Sequence, residues 1–338
     1  MQFSFDPQFP TRPDGDGQGA ANPFGGRTDD LVQPFQIDRV DLRGRLVRLG
    51  PAVDAVLERH DYPAPVAKLL GEAMVLAACL AASLKYDGIF TLQASGDGAV
   101  RFLIADITSA GHLRGYASFD RDRMDALIAS DPAPTAARLF GGGHLAFTVD
   151  QGPDTDRYQG IVPLEGASLA ECVHLYFRQS EQIDTAIKAV CDRVGGDAGP
   201  WRAAALMVQR LPEQRVSESE AGTDAPYERR IVSEDGWRRA VLLMGSATPA
   251  EMLSPDLPPN DLLYRLFHED GIRVFELRPL EERCRCGTRT RIEGVLASLP
   301  REDVDTLRLE DGAVTVTCEF CRRTERFDEA DLERIHGD

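Results

Sequence analysis

The sequence predicts an α+β protein: an N-terminal α/β core domain with a central buried helix and β-sheets, a helical linker region, and a small C-terminal domain built around paired cysteines. Three observations predict it. One alanine- and leucine-rich stretch near residue 70 is apolar around most of a helical circumference. Short segments of alternating apolar and polar residues lie on both sides of it. Four of the seven cysteines fall beyond residue 280, in two close pairs.

A chain of 338 residues is longer than one core usually serves, so two or three structural units are expected. The 43% hydrophobic content suits a soluble globular protein. A net charge of -17 repels nucleic acid and anionic lipid, so neither a nucleic acid nor a membrane is expected as a partner. The N-terminus lacks a basic start followed by an apolar stretch, which argues against a signal peptide. The most apolar run, Met74 to Leu84, is shorter than the ~20 residues a bilayer requires. A cytoplasmic location is expected, where thiols stay reduced. The cysteines are therefore read as buried residues, metal ligands or redox centres.

Residues 1–31, rich in Gly, Pro and Asp, are expected to form a disordered tail. The core domain is placed at 32–211. It opens with strand-like alternation around Phe35, Ile37, Val40, Leu42, Leu46 and Val47. A short helix, a proline break and a long helix follow, with Pro63 and Pro65 at the long helix's first turn and Gly88 beyond its end. The long helix is the buried one, and Cys79 within it reads as core. "IFTLQAS", "AVRFLIADI", "LRGYASF", "HLAFTVD" and "RYQGIVPL" read as strands, the first two joined by a turn at Gly96–Gly98. "SLAECVHLYFRQSEQI" has helical spacing, with Ser168 as N-cap and Cys172 in the core. "TAIKAVCDRV" and "WRAAALMVQRLP" read as strands that complete a sheet, with Cys191 buried.

Residues 212–277 are read as a linker and helical region. Pro212 to Arg230 is polar and aperiodic. Beyond it lie two helical apolar stripes, one with Trp237, Val241, Leu242 and Met244, the other with Leu262, Leu263, Leu266 and Phe267. Two such helices cannot make a core alone and must cover another surface.

Residues 278–338 hold "CRC" at Cys284 and Cys286 and "CEFC" at Cys318 and Cys321. Two close pairs roughly thirty residues apart suit a tetrahedral four-cysteine zinc site, each pair supplying two ligands. Four thiolates on Zn2+ leave the site at -2, which Arg283, Arg285, Arg289, Arg291, Arg322 and Arg323 would offset, unless they simply form a solvated surface. The intervening segment reads as one short helix, a second turn and a strand, too little to fold without a metal or disulfide. A C-x-C pair can serve the metal or bond to itself, but not both. Structural zinc ribbons more often carry C-x-x-C at both ends, so the C-x-C end points to a redox switch beside the plain structural reading.

"HDYPAPVAKLL", "LKYDG", "SGDG", "RYQGIVPLEG", "YFRQSEQI", "LLYRLFHED" and "CRC…CEFC", in this order, resemble the thirty-three-kilodalton heat-shock protein family over about residues 33–335. The resemblance implies a redox-regulated, ATP-independent holdase chaperone of the bacterial cytosol. It implies one zinc per reduced, inactive chain, held by Cys284, Cys286, Cys318 and Cys321. Oxidants such as hypochlorous acid, or peroxide with heat, would form Cys284–Cys286 and Cys318–Cys321 disulfides and release zinc. The C-terminal unit and linker would unfold, and a homodimer would bind unfolding client proteins. The two apolar stripes are the candidate client-binding residues. A longer N-terminal tail and a polar insert around Glu218 to Glu228 depart from the family pattern.

No enzyme is expected: the chain has no G-x-x-x-x-G-K-[ST], G-x-S-x-G or H-E-x-x-H. "FGGGH" at Phe140 to His144 reads as a turn before a strand. A thiol-disulfide oxidoreductase using "CEFC", or a nucleic-acid-binding zinc ribbon, are the alternatives.

Overall fold

The computed structural model describes residues 28–210 and 225–336, apart from 153, 154, 156, 182 and 288. The chain divides into two units, Met1–Glu282 and Arg283–Asp338.

In the first unit, two sheets enclose one helix. The chain enters through β1 (Leu31–Ile37) and β2 (Leu42–Leu49), then α1 (Pro51–Glu58) and α2 (Ala64–Ala81). Next come β3 (Ile89–Gly96), β4 (Val100–Thr108), β5 (His112–Phe119), α3 (Arg121–Ser130), α4 (Ala136–Phe140), β6 (Gly143–Asp150) and β7 (Tyr158–Pro163). Helix α5 (Leu169–Tyr176) leads through a wide turn at Phe177–Glu181 into β8 (Thr185–Arg193) and β9 (Trp201–Arg210). The unit continues with α6 (Ala225–Ser246), α7 (Pro249–Leu253), α8 (Pro259–Phe267), β10 (Ile272–Val274), β11 (Arg278–Pro279) and β12 (Glu281–Glu282). One sheet has the order β10-β1-β2-β9-β8 with β11 also on β1; the other runs β12-β5-β4-β3-β6-β7. Among the described residues, only β12 on β5 pairs in parallel.

Helix α2 packs on both sheets, which explains its all-round apolar surface. It runs 18 residues with mean hydropathy 1.6, long and apolar enough by length and composition to cross a membrane. The expectation from Met74 to Leu84 alone was too short. Since 78% of the helix is buried inside the protein, its composition is that of a core helix. Cys79, Cys172 and Cys191 are all buried, and burial raises each thiol's pKa, that of Cys79 to about 12.

The first sheet is covered on both faces, and the two-residue period of a strand separates them. Val47 and Leu49 of β2, with Trp201, Ala203, Ala205 and Met207 of β9, join the α2 core. Leu42 and Leu46, with Ala204, Leu206 and Val208, join a second core formed with α6–α8. This sheet face is what the two apolar stripes cover, and it lies within the first unit. Leu262, Leu263, Leu266 and Phe267 are buried, as their spacing predicts. On α6 the inward positions are Gly236, Ala240 and Met244, with Trp237 and Val241 half-buried. Leu242 is 75% exposed and does not belong to the stripe. The reason is angular: at ~100° per residue it lies on the opposite side from Ala240. Phe267 stacks on Phe35 at 5.6 Å. The Phe35 ring lies over Gly44, where a Cβ would come 2.0 Å from the ring, so only glycine fits.

Other boundaries shift. The tail expectation for residues 1–27 lies outside the described residues. Order begins before residue 32, because the Asp30 carboxylate accepts from the Gly50 and Ala52 amides at the start of α1. Residues 278–282 belong to the first unit through β11 and β12. The linker expectation from Pro212 lies outside the described residues up to 224, and Ala225–Arg230 is helical. Helix α3 was not read from sequence; Asp120 caps it by accepting from the Arg123 amide.

Glu72 of α2 is a half-buried carboxylate whose Oε1 accepts from the Ala170 amide at the start of α5. Burial raises its pKa to about 7. A raised carboxyl favours the protonated folded state, so its contribution is greatest below about pH 4.5 and declines as pH rises through 7. Glu72→Gln is therefore expected to gain about 1–3 kcal/mol over the parent at pH 8 and to converge with it near pH 4. Urea unfolding at both pH values measures this; equal effects at both would refute it.

The second unit contains α9 (Arg289–Ser298), α10 (Arg301–Thr306), β13 (Val314–Thr317), β14 (Thr324–Phe327) and α11 (Glu329–His336). The sequence reading of one helix, a turn and a strand between the cysteine pairs corresponds to α9, α10 and β13; β14 and α11, beyond the second pair, were missed. The missed elements are mostly charged and bury only Phe327 and Leu332 among their described residues.

Candidate metal centre

Cys284 and Cys286 lie on an irregular segment that turns toward α9 at Gly287, whose φ of 90° lies in the left-handed region that favours glycine. Cys318 and Cys321 lie in the turn that joins β13 to β14. The Cys318 amide donates to the Arg323 carbonyl at 2.9 Å, and the Arg322 amide to the Cys318 carbonyl at 2.8 Å. Arg322 completes this turn at φ 59°. Antiparallel pairing, Val314 to Phe327 through Thr317 to Thr324, sets the position of the turn.

The four Sγ atoms all lie within 4.8 Å of one another. Cys284 and Cys318 are 3.7 Å apart, Cys286 and Cys321 3.6 Å. Zn–S bonds of ~2.3 Å in a tetrahedron place sulfurs about 3.8 Å apart, so the donor set and spacing fit a tetrahedral thiolate metal site. All four residues are half-buried.

The electrostatics point the same way. Burial raises the Cys284 thiol. Burial, then the neighbouring thiols, push Cys286 up to about 12. Burial also raises Cys321, but the Arg323 amide and the hydrogen bonds from the other three thiols outweigh it and leave that group lowered. Four sulfurs this close cannot all ionise by themselves; a bound cation would hold them as thiolates.

Two of the arginines near the cysteines have carboxylate partners. Arg289 pairs with Asp331 and lies over the Phe327 ring at 4.5 Å, and Arg323 pairs with Glu325 at 2.6 Å. These two neutralise carboxylates. Arg289 also donates to the Arg326 carbonyl at 2.8 Å, tying the start of α9 to β14 and α11. Its position three residues after Cys286 was visible in the sequence; its partners, some forty residues on, were not.

Comparison with known proteins now places the chain. A family model described as Hsp33 protein matches residues 30–328. The chain belongs to the Hsp33 family. It is 42% identical over 307 residues to a 33 kDa chaperonin of Caulobacter vibrioides (strain NA1000 / CB15N), covering 90% of this chain and 97% of the relative. It is 38% identical over 310 residues to the 33 kDa chaperonin of Ectopseudomonas mendocina, covering 91% and 95%. The crystal structure of a 33 kDa chaperonin (heat shock protein 33 homolog) from Thermotoga maritima superimposes with a TM-score of 0.72 at 23% identity, covering 91% of this chain and 97% of that one. The α+β fold class and the family resemblance are both borne out. The family's named relatives are chaperonins, and the cysteine cluster of this member could hold a metal ion.

Proposed function

We propose that this chain is a redox-regulated, ATP-independent holdase chaperone that protects unfolding proteins from oxidative and thermal aggregation. The observation that carries the proposal is the convergence of the Cys284, Cys286, Cys318 and Cys321 sulfurs. In the reduced protein these residues hold one zinc, which supplies the charge that keeps four thiolates together. The proposed disulfides, Cys284–Cys286 and Cys318–Cys321, each form from two thiolates with the loss of two electrons and no proton. For each disulfide one hypochlorous acid takes up the two electrons and, with one proton from solvent, becomes chloride and water. Sulfurs joined at ~2.05 Å no longer match the ~3.8 Å spacing of the tetrahedron, so the unit loses its metal and its fold.

Unfolding of the second unit exposes Leu296, Val304, Val314, Phe327 and Leu332. The larger client surface is the cover and the sheet face beneath it, including Trp237, Val241, Leu262, Leu263, Leu266 and Phe267, with Leu242 already exposed. The net charge of -17 keeps so apolar a state soluble and disfavours nucleic acid and membrane partners. The proposal includes a homodimer on activation and a cytoplasmic location.

Hypochlorite treatment is expected to release one zinc per chain and, in parallel, to start suppression of aggregation of a denatured substrate. Suppression by the reduced, metal-loaded protein at full strength would overturn the switch. Insulin reduction on the same samples separates this function from thiol-disulfide exchange.

A further inference from the structure

The apolar face that α6–α8 cover ends in two arginines. Arg48 of β2 continues the inward row of Leu42 and Leu46, and Arg202 of β9 continues that of Ala204, Leu206 and Val208. Arg48 is 1% exposed and Arg202 7%. Neither reaches solvent; both reach backbone carbonyls at the end of α7 and in the loop to α8. Arg48 Nη1 donates to the carbonyls of Ser254 at 3.1 Å and Leu257, and its Nη2 to Glu251 at 3.1 Å. Arg202 Nε donates to Leu253 at 2.6 Å, and its Nη2 pairs with the Asp29 carboxylate. The carbonyls at a helix C-terminus lack intrahelical partners and carry partial negative charge, so guanidinium groups stabilise them.

We propose that Arg48, Arg202 and Asp29 form a latch that holds the α6–α8 cover closed over the apolar sheet face, and that this latch sets the exposure of that face separately from the metal centre. The latch deepens the chaperone reading, on which only its final readout rests.

The charge balance makes the latch a point of release. Two guanidinium groups are buried against one carboxylate, and Arg48 Nε has no hydrogen-bond partner among the described residues. Desolvation lowers the Arg48 pKa to about 10, partly offset by Asp29, with Arg202 lowering it further. Buried charges attract strongly when matched and are costly when one partner is lost. Asp29 lies just before Asp30, which caps α1, so the counter-charge comes from the first described residues of the chain, next to a fixed point. The contacts that close the latch span the strands and the cover, and a cover held in this way opens at one end when Asp29 is removed.

The test is hydrogen exchange on the full-length, reduced protein carrying Asp29→Asn. Exchange protection across 249–267 is expected to fall roughly a hundredfold, the size set by an unmatched buried charge, with protection of 64–81 unchanged. Bis-ANS binding should rise without oxidant, with zinc content unaltered. Arg265→Gln, which removes only the exposed pair of Arg265 with Glu251, should leave exchange unchanged. Asp29→Glu, which restores the charge, should recover most of the protection. An equal loss of protection in 249–267 and 64–81 would make the cluster a global stabiliser and overturn the latch, as would no loss in 249–267. A cover that opens in Asp29→Asn without suppressing aggregation would leave the latch standing and refute the client surface proposed above.

Discussion

Removing the metal from the reduced protein with a strong chelator, or replacing Cys318 with serine, is expected to unfold residues 283–336 while 31–210 keep their fold. The core of the second unit is small: Leu296, Val304, Val314, Phe327 and Leu332 are fully buried, with Ile292, Val316 and Ile335 beside them. Ordering the backbone costs about 1–2 kcal/mol per residue, which so small a core does not offset. A structural zinc site contributes on the order of 10–16 kcal/mol at neutral pH, as much as the ~5–15 kcal/mol total stability of an ordinary domain. The surface pairs around Arg289 and Arg334 add little by comparison. Hydrogen exchange resolves the two units separately. Retained protection in β13, β14 and α9 after complete metal removal would show that the unit folds without its metal.

Phe267→Ala is expected to cost about 3–5 kcal/mol and to raise bis-ANS binding in the reduced protein. Phe267 is fully buried, stacks on Phe35, and lies where the cover meets the sheet. Its removal leaves a cavity that Gly44 and the Phe35 ring cannot fill without moving the strands. Leu242→Ser, on the neighbouring helix, should change stability by less than about 0.5 kcal/mol, because that side chain is already 75% exposed. Denaturant unfolding of both variants separates anchor from surface residue. Similar values for the two would mean that α8 is not fastened to the sheet as the packing indicates.

Period-two alternation identified β1 to β9, because each of these strands has at least one covered face. The proline-flanked Ala64–Ala81 stretch announced its helix through composition alone. Stripe membership was less legible: a helix burying small residues such as Gly236 and Ala240 shows its inward face weakly, and Leu242 was misplaced for that reason. Helix α3, β14 and α11 went unread or half-read because charged, mostly exposed segments carry little hydrophobic period. The latch arginines gave no local signal. Arg48 and Arg202 are 154 residues apart, and only strand pairing brings them to the same end of a sheet face.

The sequence by itself determined which four cysteines form the cluster that could hold a metal ion, since Cys284, Cys286, Cys318 and Cys321 stand out by residue type and spacing, and it determined the identity of the buried helix, since nothing else in the chain is apolar all round. Tertiary structure alone decided what the apolar stripes cover and which charges hold that cover in place. The physical reason is range: ligand type and helical period are local properties of a chain, whereas burial and charge pairing depend on residues that folding brings together from far apart.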